Sequence, residues 1–98
     1  MGFNRAPGHK PVSSIDSAFA RAALLLGRRE YGEQELAKTL REKGFDQPHI
    51  DIALARLKEF GLQSDERASL AVFRRCAQSG KGPGYAKQQL RQRFLTEP

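Results

Sequence analysis

Six basic side chains in the last third of the chain, Arg74, Arg75, Lys81, Lys87, Arg91 and Arg93, are the residues whose type and spacing could do chemistry. That chemistry is contact with a polyanion. Lys87 and Arg91 are four apart and project from one face of a helix. Arg74 and Arg75 fall in the last turns of the preceding helix, and Lys81 lies in the turn between the two. Cations of this kind contact phosphates or carboxylates without reading sequence. The competing use is structural, since Arg74 or Arg75 can satisfy the carbonyl end of its own helix. Arg28 and Arg29 form a smaller second candidate, against which stands capping of a helix end or pairing with Glu30 or Glu33.

The other reactive residue types carry less. The run Gly80-Lys81-Gly82-Pro83-Gly84 lacks the spacing of a phosphate-binding loop, follows a helix rather than a strand, and has Pro where an N–H donor is needed. It reads as a turn with Pro83 opening a helix. His9 and His49 have no partners at metal-ligand spacing, and one cysteine cannot build a structural zinc site. Cys76 occupies an apolar helical position and reads as core. Tyr31 and Tyr85 could stack on bases, with packing between helices as the competing use. No acid pair, triad or cofactor signature stands out, so the chain reads as a binding protein without enzyme activity, metal, cofactor or small-molecule substrate.

The charge is uneven along the chain. Residues 1–65 hold ten basic and nine acidic side chains, whereas residues 66–98 hold seven and two, so nearly all of the net charge of +6 lies in the last third. A field concentrated there favours nucleic acid or an acidic protein surface. No stretch approaches the roughly 18 apolar residues of a membrane span. Residues 1–14 are polar and are expected to be a flexible segment without a secretory h-region. A single cysteine fits a reducing compartment, and the cytoplasm is the expected location.

The elements that must position these cations are all helices. Ser14 is a good N-cap, and Ile15, Ala18, Phe19, Ala22, Leu25 and Leu26 follow at helical spacing. Gly32 opens a second helix with Glu35 reaching back to free N–H groups, and Leu36 and Leu40 form its stripe. Gly44 stops it in a left-handed conformation while Phe45 folds back onto the apolar face. Asp46 and Pro48 open a third helix with Ile50, Ala53, Leu54 and Leu57 inward, and Gly61-Leu62 repeats the stop. Ser64 starts a fourth with Ala68, Val72, Phe73 and Cys76 inward. Ala86, Leu90 and Phe94 line up on a fifth. Nothing alternates with period two, so the expected fold is all-α with about five helices.

Sliding the chain by 50 residues aligns Ser14 with Ser64, Ala18 with Ala68, Gly32 with Gly82, Leu40 with Leu90 and Arg41 with Arg91. The turns coincide as well, which points to a duplicated three-helix unit. The first unit spans residues 15–62. The second, within 63–98 and ordered over about 65–95, lacks its third helix.

Three stretches then carry a family resemblance: Leu24-Leu25-Leu26-Gly27-Arg28-Arg29-Glu30-Tyr31-Gly32-Glu33-Gln34-Glu35-Leu36, Leu57-Lys58-Glu59-Phe60-Gly61-Leu62-Gln63-Ser64-Asp65-Glu66-Arg67, and Gly80-Lys81-Gly82-Pro83-Gly84-Tyr85-Ala86-Lys87-Gln88-Gln89-Leu90. In this order they resemble the RecX family of recombination regulators. The resemblance covers about residues 15–93 and implies tandem three-helix repeats, binding in the groove of the RecA recombinase filament, and inhibition of its ATPase and strand exchange. Contact with DNA is also implied. The alternative reading is a basic helical module that binds nucleic acid directly. Two departures are visible. The family pattern continues through a third repeat, so the resemblance implies a short or truncated member. Arg93-Phe94-Leu95 also lacks the glycine that Lys43-Gly44-Phe45 supplies, so the fifth helix is expected to have no equivalent stop.

Overall fold

The computed structural model describes residues 13–97 and contains five helices. They are α1 (Ile15–Leu26), α2 (Glu33–Glu42), α3 (Gln47–Glu59), α4 (Asp65–Gln78) and α5 (Pro83–Gln92). His9 and most of the expected flexible segment lie outside the described residues.

Helices α1, α2 and α4 start where local chemistry supplies a partner for a free N–H group. The Ser14 hydroxyl accepts from the Ser17 N–H at 3.0 Å, and the Ser64 hydroxyl accepts from the Arg67 N–H at 3.2 Å. Before α2 the Gly32 N–H donates to Glu35 Oε1 at 3.2 Å, the returning half of a capping box. Pro83 stands at the start of α5, where its missing N–H costs nothing.

The 50-residue offset reappears in the elements. Helix α4 starts 50 residues after α1, and α5 both starts and ends 50 residues after α2. The stops correspond too. The Phe45 N–H donates to the Leu40 carbonyl at 3.1 Å, and the Leu95 N–H donates to the Leu90 carbonyl at 2.8 Å. The fold is all-α, with tandem helical repeats.

Two expectations about α5 are corrected here. The helix has the stop that the missing glycine seemed to deny it: Phe94 itself adopts φ 58°, where Gly44 has φ 98°. A left-handed conformation costs an L residue roughly 1–2 kcal/mol, and it is held here by the bond that seats Leu95. The backbone reversal also turns Phe94 out to 49% exposure while Leu95 is buried at 5%. Leu95, not Phe94, therefore continues the inward face of Ala86 and Leu90. The stop at Gly61 has the expected left-handed φ of 75° and the same closing bond, from the Leu62 N–H to the Leu57 carbonyl at 2.9 Å, while the Leu62 side chain stays 46% exposed.

Two apolar clusters form the interior. The first is built from Ala18, Ala22 and Leu25 of α1, Leu36 and Leu40 of α2, Phe45, and Ile50, Ala53, Leu54 and Leu57 of α3. The second contains Ala68, Val72 and Cys76 of α4, Ala86 and Leu90 of α5, and Leu95, with Phe73 packed against it. In the first cluster α3 lies across both α1 and α2, so three helices share the burial. In the second, α4 and α5 cover one another.

The two parts meet along a polar and glycine-lined seam. Gly32 backs directly onto Leu95: a Cβ there would stand 2.6 Å from Leu95 Cδ2. Its repeat partner Gly82 has no atom within 4 Å of the same position. Close approach, rather than backbone conformation, is why residue 32 must be small. Asp65 bridges the seam by accepting from the Glu33 N–H at 2.7 Å and from Gln63 Nε2 at 2.9 Å. The buried Gln63 amide also donates to the Tyr31 carbonyl at 3.2 Å. Arg67 reaches across to Glu30 at 3.3 Å.

Candidate functional site

Four cations converge on one cleft of about 410 Å³ at this seam: Arg29, Arg75, Lys81 and Arg93. They come from four places in the chain. Arg29 lies in the connection from α1 to α2, Arg75 in the last turn of α4, Lys81 in the following turn, and Arg93 at the C-cap of α5. Buried Val72 and Cys76 supply the apolar part of the lining, and Tyr85 and Gln89 complete one wall. The lining contains no carboxylate.

The position of two of these arginines is set by Glu35, at the third position of α2. Arg29 Nη2 donates to Glu35 Oε2 at 2.9 Å, and Arg93 Nε donates to the same oxygen at 3.0 Å. Arg93 Nη2 also donates to Glu35 Oε1 at 3.2 Å. The Glu30 carbonyl accepts from both guanidiniums, at 3.0 Å from Arg29 and 2.9 Å from Arg93. Arg29 further stacks on the Tyr31 ring, 3.8 Å from its centroid. One carboxylate, 15% exposed, thus ties an arginine 58 residues away to an arginine of its own repeat.

The electrostatics follow from that geometry. Burial alone would raise the Glu35 carboxyl, but hydrogen bonds from Arg29 and Arg93 and from the Gly32 N–H outweigh it and hold the group below the ordinary carboxylate range. Burial likewise works against the charged Arg29, and its hydrogen bond and charge attraction to Glu35 more than compensate, leaving its pKa raised. Both stay charged at neutral pH. Four cations against the single carboxylate of Glu35 leave three formal positive charges at the cleft.

The eight cations singled out from sequence therefore fall into different settings. Arg75 and Lys81 are exposed at the cleft, with the Lys81 ammonium 5.2 Å from the centre of the Tyr85 ring. Arg29 and Arg93 line the same cleft but are committed to Glu35. The pairing expected for Arg29, to Glu30 or Glu33, is replaced by one to Glu35, with only the backbone of Glu30 engaged. Lys87 and Arg91 line a separate hollow with Leu90, Leu95, Thr96 and Glu97, and Lys87 pairs with Glu97 at 3.4 Å. Arg74 and Arg28 are exposed and line neither hollow.

Glu35 is the residue that sequence reasoning assigned only to capping. Its second role had one signal: a carboxylate six residues from Arg29 on the far side of a turn. Nothing local announced Arg93. Among the described residues no three His, Cys, Asp or Glu side chains come together as a metal site, and no helix is long and apolar enough to cross a membrane. His49, the other metal-type residue considered, has its Nδ1 2.6 Å from the Ser13 hydroxyl, which also accepts from the Asp46 N–H at 2.8 Å. That places His49 in the start of α3 as a structural residue.

Fold and site together define an all-α protein of tandem helical repeats with a cation-lined seam. The chain is similar to the RecX family: the family described as RecX, first three-helix domain, matches residues 18–57, from α1 through most of α3. The Regulatory protein RecX of Mannheimia succiniciproducens is 43% identical over 75 residues, which are 76% of this chain and 49% of that protein. The Haemophilus influenzae protein of the same name gives the same figures. That of Pseudomonas fluorescens is 42% identical over 79 residues, 80% of this chain and 51% of its own. The chain spans about half the length of these relatives, all named as regulatory proteins. No solved structure matches it.

Proposed function

We propose that this protein binds RecA nucleoprotein filaments and modulates recombinase activity, by inhibition, as a cytoplasmic regulator without catalytic activity of its own. The observation that carries the reading is the continuous likeness, over three quarters of the chain, to proteins named Regulatory protein RecX. The chain divides for this purpose into the repeat at 15–62 and the partial repeat within 63–98. The contact surface is formed by the cations of the second repeat, Arg74, Arg75, Lys81, Lys87, Arg91 and Arg93, with Arg28 and Arg29 at the edge of the first. Arg93 and Arg29 contribute mainly by fixing the seam, because Glu35 already occupies their guanidiniums.

Co-sedimentation with RecA filaments on single-stranded DNA tests this reading. The parent protein is expected to pellet with filaments at micromolar concentration, and the variant carrying Arg75→Ala, Lys87→Ala and Arg91→Ala to remain largely in solution. A folded parent protein that never pellets removes the filament from its partners.

A second reading, direct binding of nucleic acid, draws on the open cations beside the half-exposed Tyr85 ring. It predicts affinity for naked DNA in the absence of RecA, falling steeply as salt is raised.

A further inference from the structure

The cleft at the seam concentrates more positive charge than its surroundings neutralise, and its cations are of two kinds. Arg75 and Lys81 have no carboxylate partner among the described residues and face solvent. Arg29 and Arg93 share Glu35, each with donors engaged on the Glu30 carbonyl as well. Tyr85 stands beside Lys81 at the rim where α5 begins.

We propose that this cleft is a binding site for a multiply charged phosphate anion, first met by Arg75 and Lys81 and then shared with Arg29 and Arg93, for which Glu35 competes. Its volume of about 410 Å³ falls at the lower end of the range for small-ligand sites. The donors approach from the α1–α2 connection, the end of α4, the following turn and the end of α5. Convergence from several directions suits a tetrahedral, multiply charged group. A planar, singly charged carboxylate is satisfied by two guanidiniums, as Glu35 itself shows. The inference stands on the cleft alone and holds whether or not the protein engages a recombinase filament.

The competition gives the site a signature that a merely basic surface lacks. Removing the Glu35 charge while keeping its cap, as Glu35→Gln does, releases both guanidiniums toward the ligand and raises the local charge by one. A simple basic patch would gain only from the added charge, without any change in the Arg29 and Arg93 guanidiniums on ligand binding.

Pyrophosphate is the probe, titrated into the whole chain and followed by calorimetry and by the arginine Nε resonances in nitrogen-15 spectra. The Nε signals of Arg75, Arg29 and Arg93 are expected to move together. The exposed pair Arg75→Ala, Lys81→Ala is expected to weaken binding at least about tenfold, and Glu35→Gln to tighten it about three- to tenfold. A short oligo-dT that moves the same resonances assigns the phosphate to a nucleic-acid backbone. One that does not, beside a pyrophosphate that does, assigns it to a free phosphate, and both outcomes support the site. The proposal is overturned if pyrophosphate leaves Arg29 and Arg93 unmoved, if a folded Glu35→Gln variant binds more weakly than the parent, or if a polyglutamate peptide of equal charge binds as tightly.

Discussion

The two repeats begin from the same pattern of caps and turns but close their cores differently. In the first, ten buried apolar residues from three helices and Phe45 surround one another, and the set includes five leucines, an isoleucine and a phenylalanine. In the second, six apolar residues are buried among the described ones, and three of those are two alanines and a cysteine. At roughly 25 cal/mol per Å² of apolar surface, the second interior cannot match the first. It leans instead on its neighbour: Leu95 packs against Gly32, Asp65 caps α2, and Arg93 is bound by Glu35. The difference teaches that the second repeat is held in large part by the seam, and that the seam is also where the cations gather. Stability and binding in this half of the molecule therefore share residues, whereas the first repeat keeps its core away from the candidate site.

The largest expected effects come from placing an unpaired charge in each core. Leu40→Asp and Leu90→Asp occupy equivalent places in the two repeats, both essentially fully buried. Leu40→Asp is expected to abolish cooperative folding of the chain. Leu90→Asp is expected to melt α4 and α5 while amide exchange in α1, α2 and α3 stays protected. Equal loss of protection in both variants would mean that the repeats fold as one unit, against the contrast drawn above.

Next in size is the seam. Glu35→Ala removes a largely buried acceptor of charge-assisted hydrogen bonds from two arginines and is expected to cost about 2–3 kcal/mol. The loss should appear in a thermal melt and in faster exchange of α4 and α5. Glu35→Gln, which keeps the cap, should cost less. The pH dependence carries the same signature. Because the folded state holds the Glu35 carboxyl below its ordinary value of 4.5, its contribution is complete above that value and is lost as the pH falls through the lower folded one. The parent should therefore lose stability below about pH 4.5 more steeply than Glu35→Gln. Parallel acid melts would show that Glu35 is not the group that binds the repeats together.

A smaller pair of changes sharpens the comparison by its sign. Gly44 and Phe94 hold equivalent left-handed positions. Gly44→Ala should destabilise by roughly 1–2 kcal/mol, and Phe94→Gly should be neutral or stabilising by up to about 1 kcal/mol. Chemical denaturation of both variants reads the two signs directly. A loss at Phe94→Gly as large as that at Gly44→Ala would mean that the exposed ring contributes packing in the groove it shares with Ala37 and Lys38.

What was legible in the sequence follows the range over which each interaction acts. Ser14, Ser64, Gly32 with Glu35, and Pro83 reveal helix starts because a cap is settled within three or four residues. Ile50, Ala53, Leu54 and Leu57 reveal a buried face because helical period alone brings them together. The stop at Phe94 was hidden because a local rule favours glycine there, while the burial of Leu95 against a residue 63 positions earlier decides the backbone. Arg93 read as an open cation for the same reason: its carboxylate lies in the other repeat, 58 residues away. Of the candidate site, the charge was legible and its division between free and committed cations was not.

The most direct test of the functional account is the ATPase activity of RecA on single-stranded DNA, titrated with this protein. The account predicts progressive inhibition by the parent that fades in the variant with Arg75, Lys87 and Arg91 changed to Ala. An ATPase rate unchanged by the folded parent at micromolar concentration would contradict it, leaving the family fold without the proposed action on the recombinase.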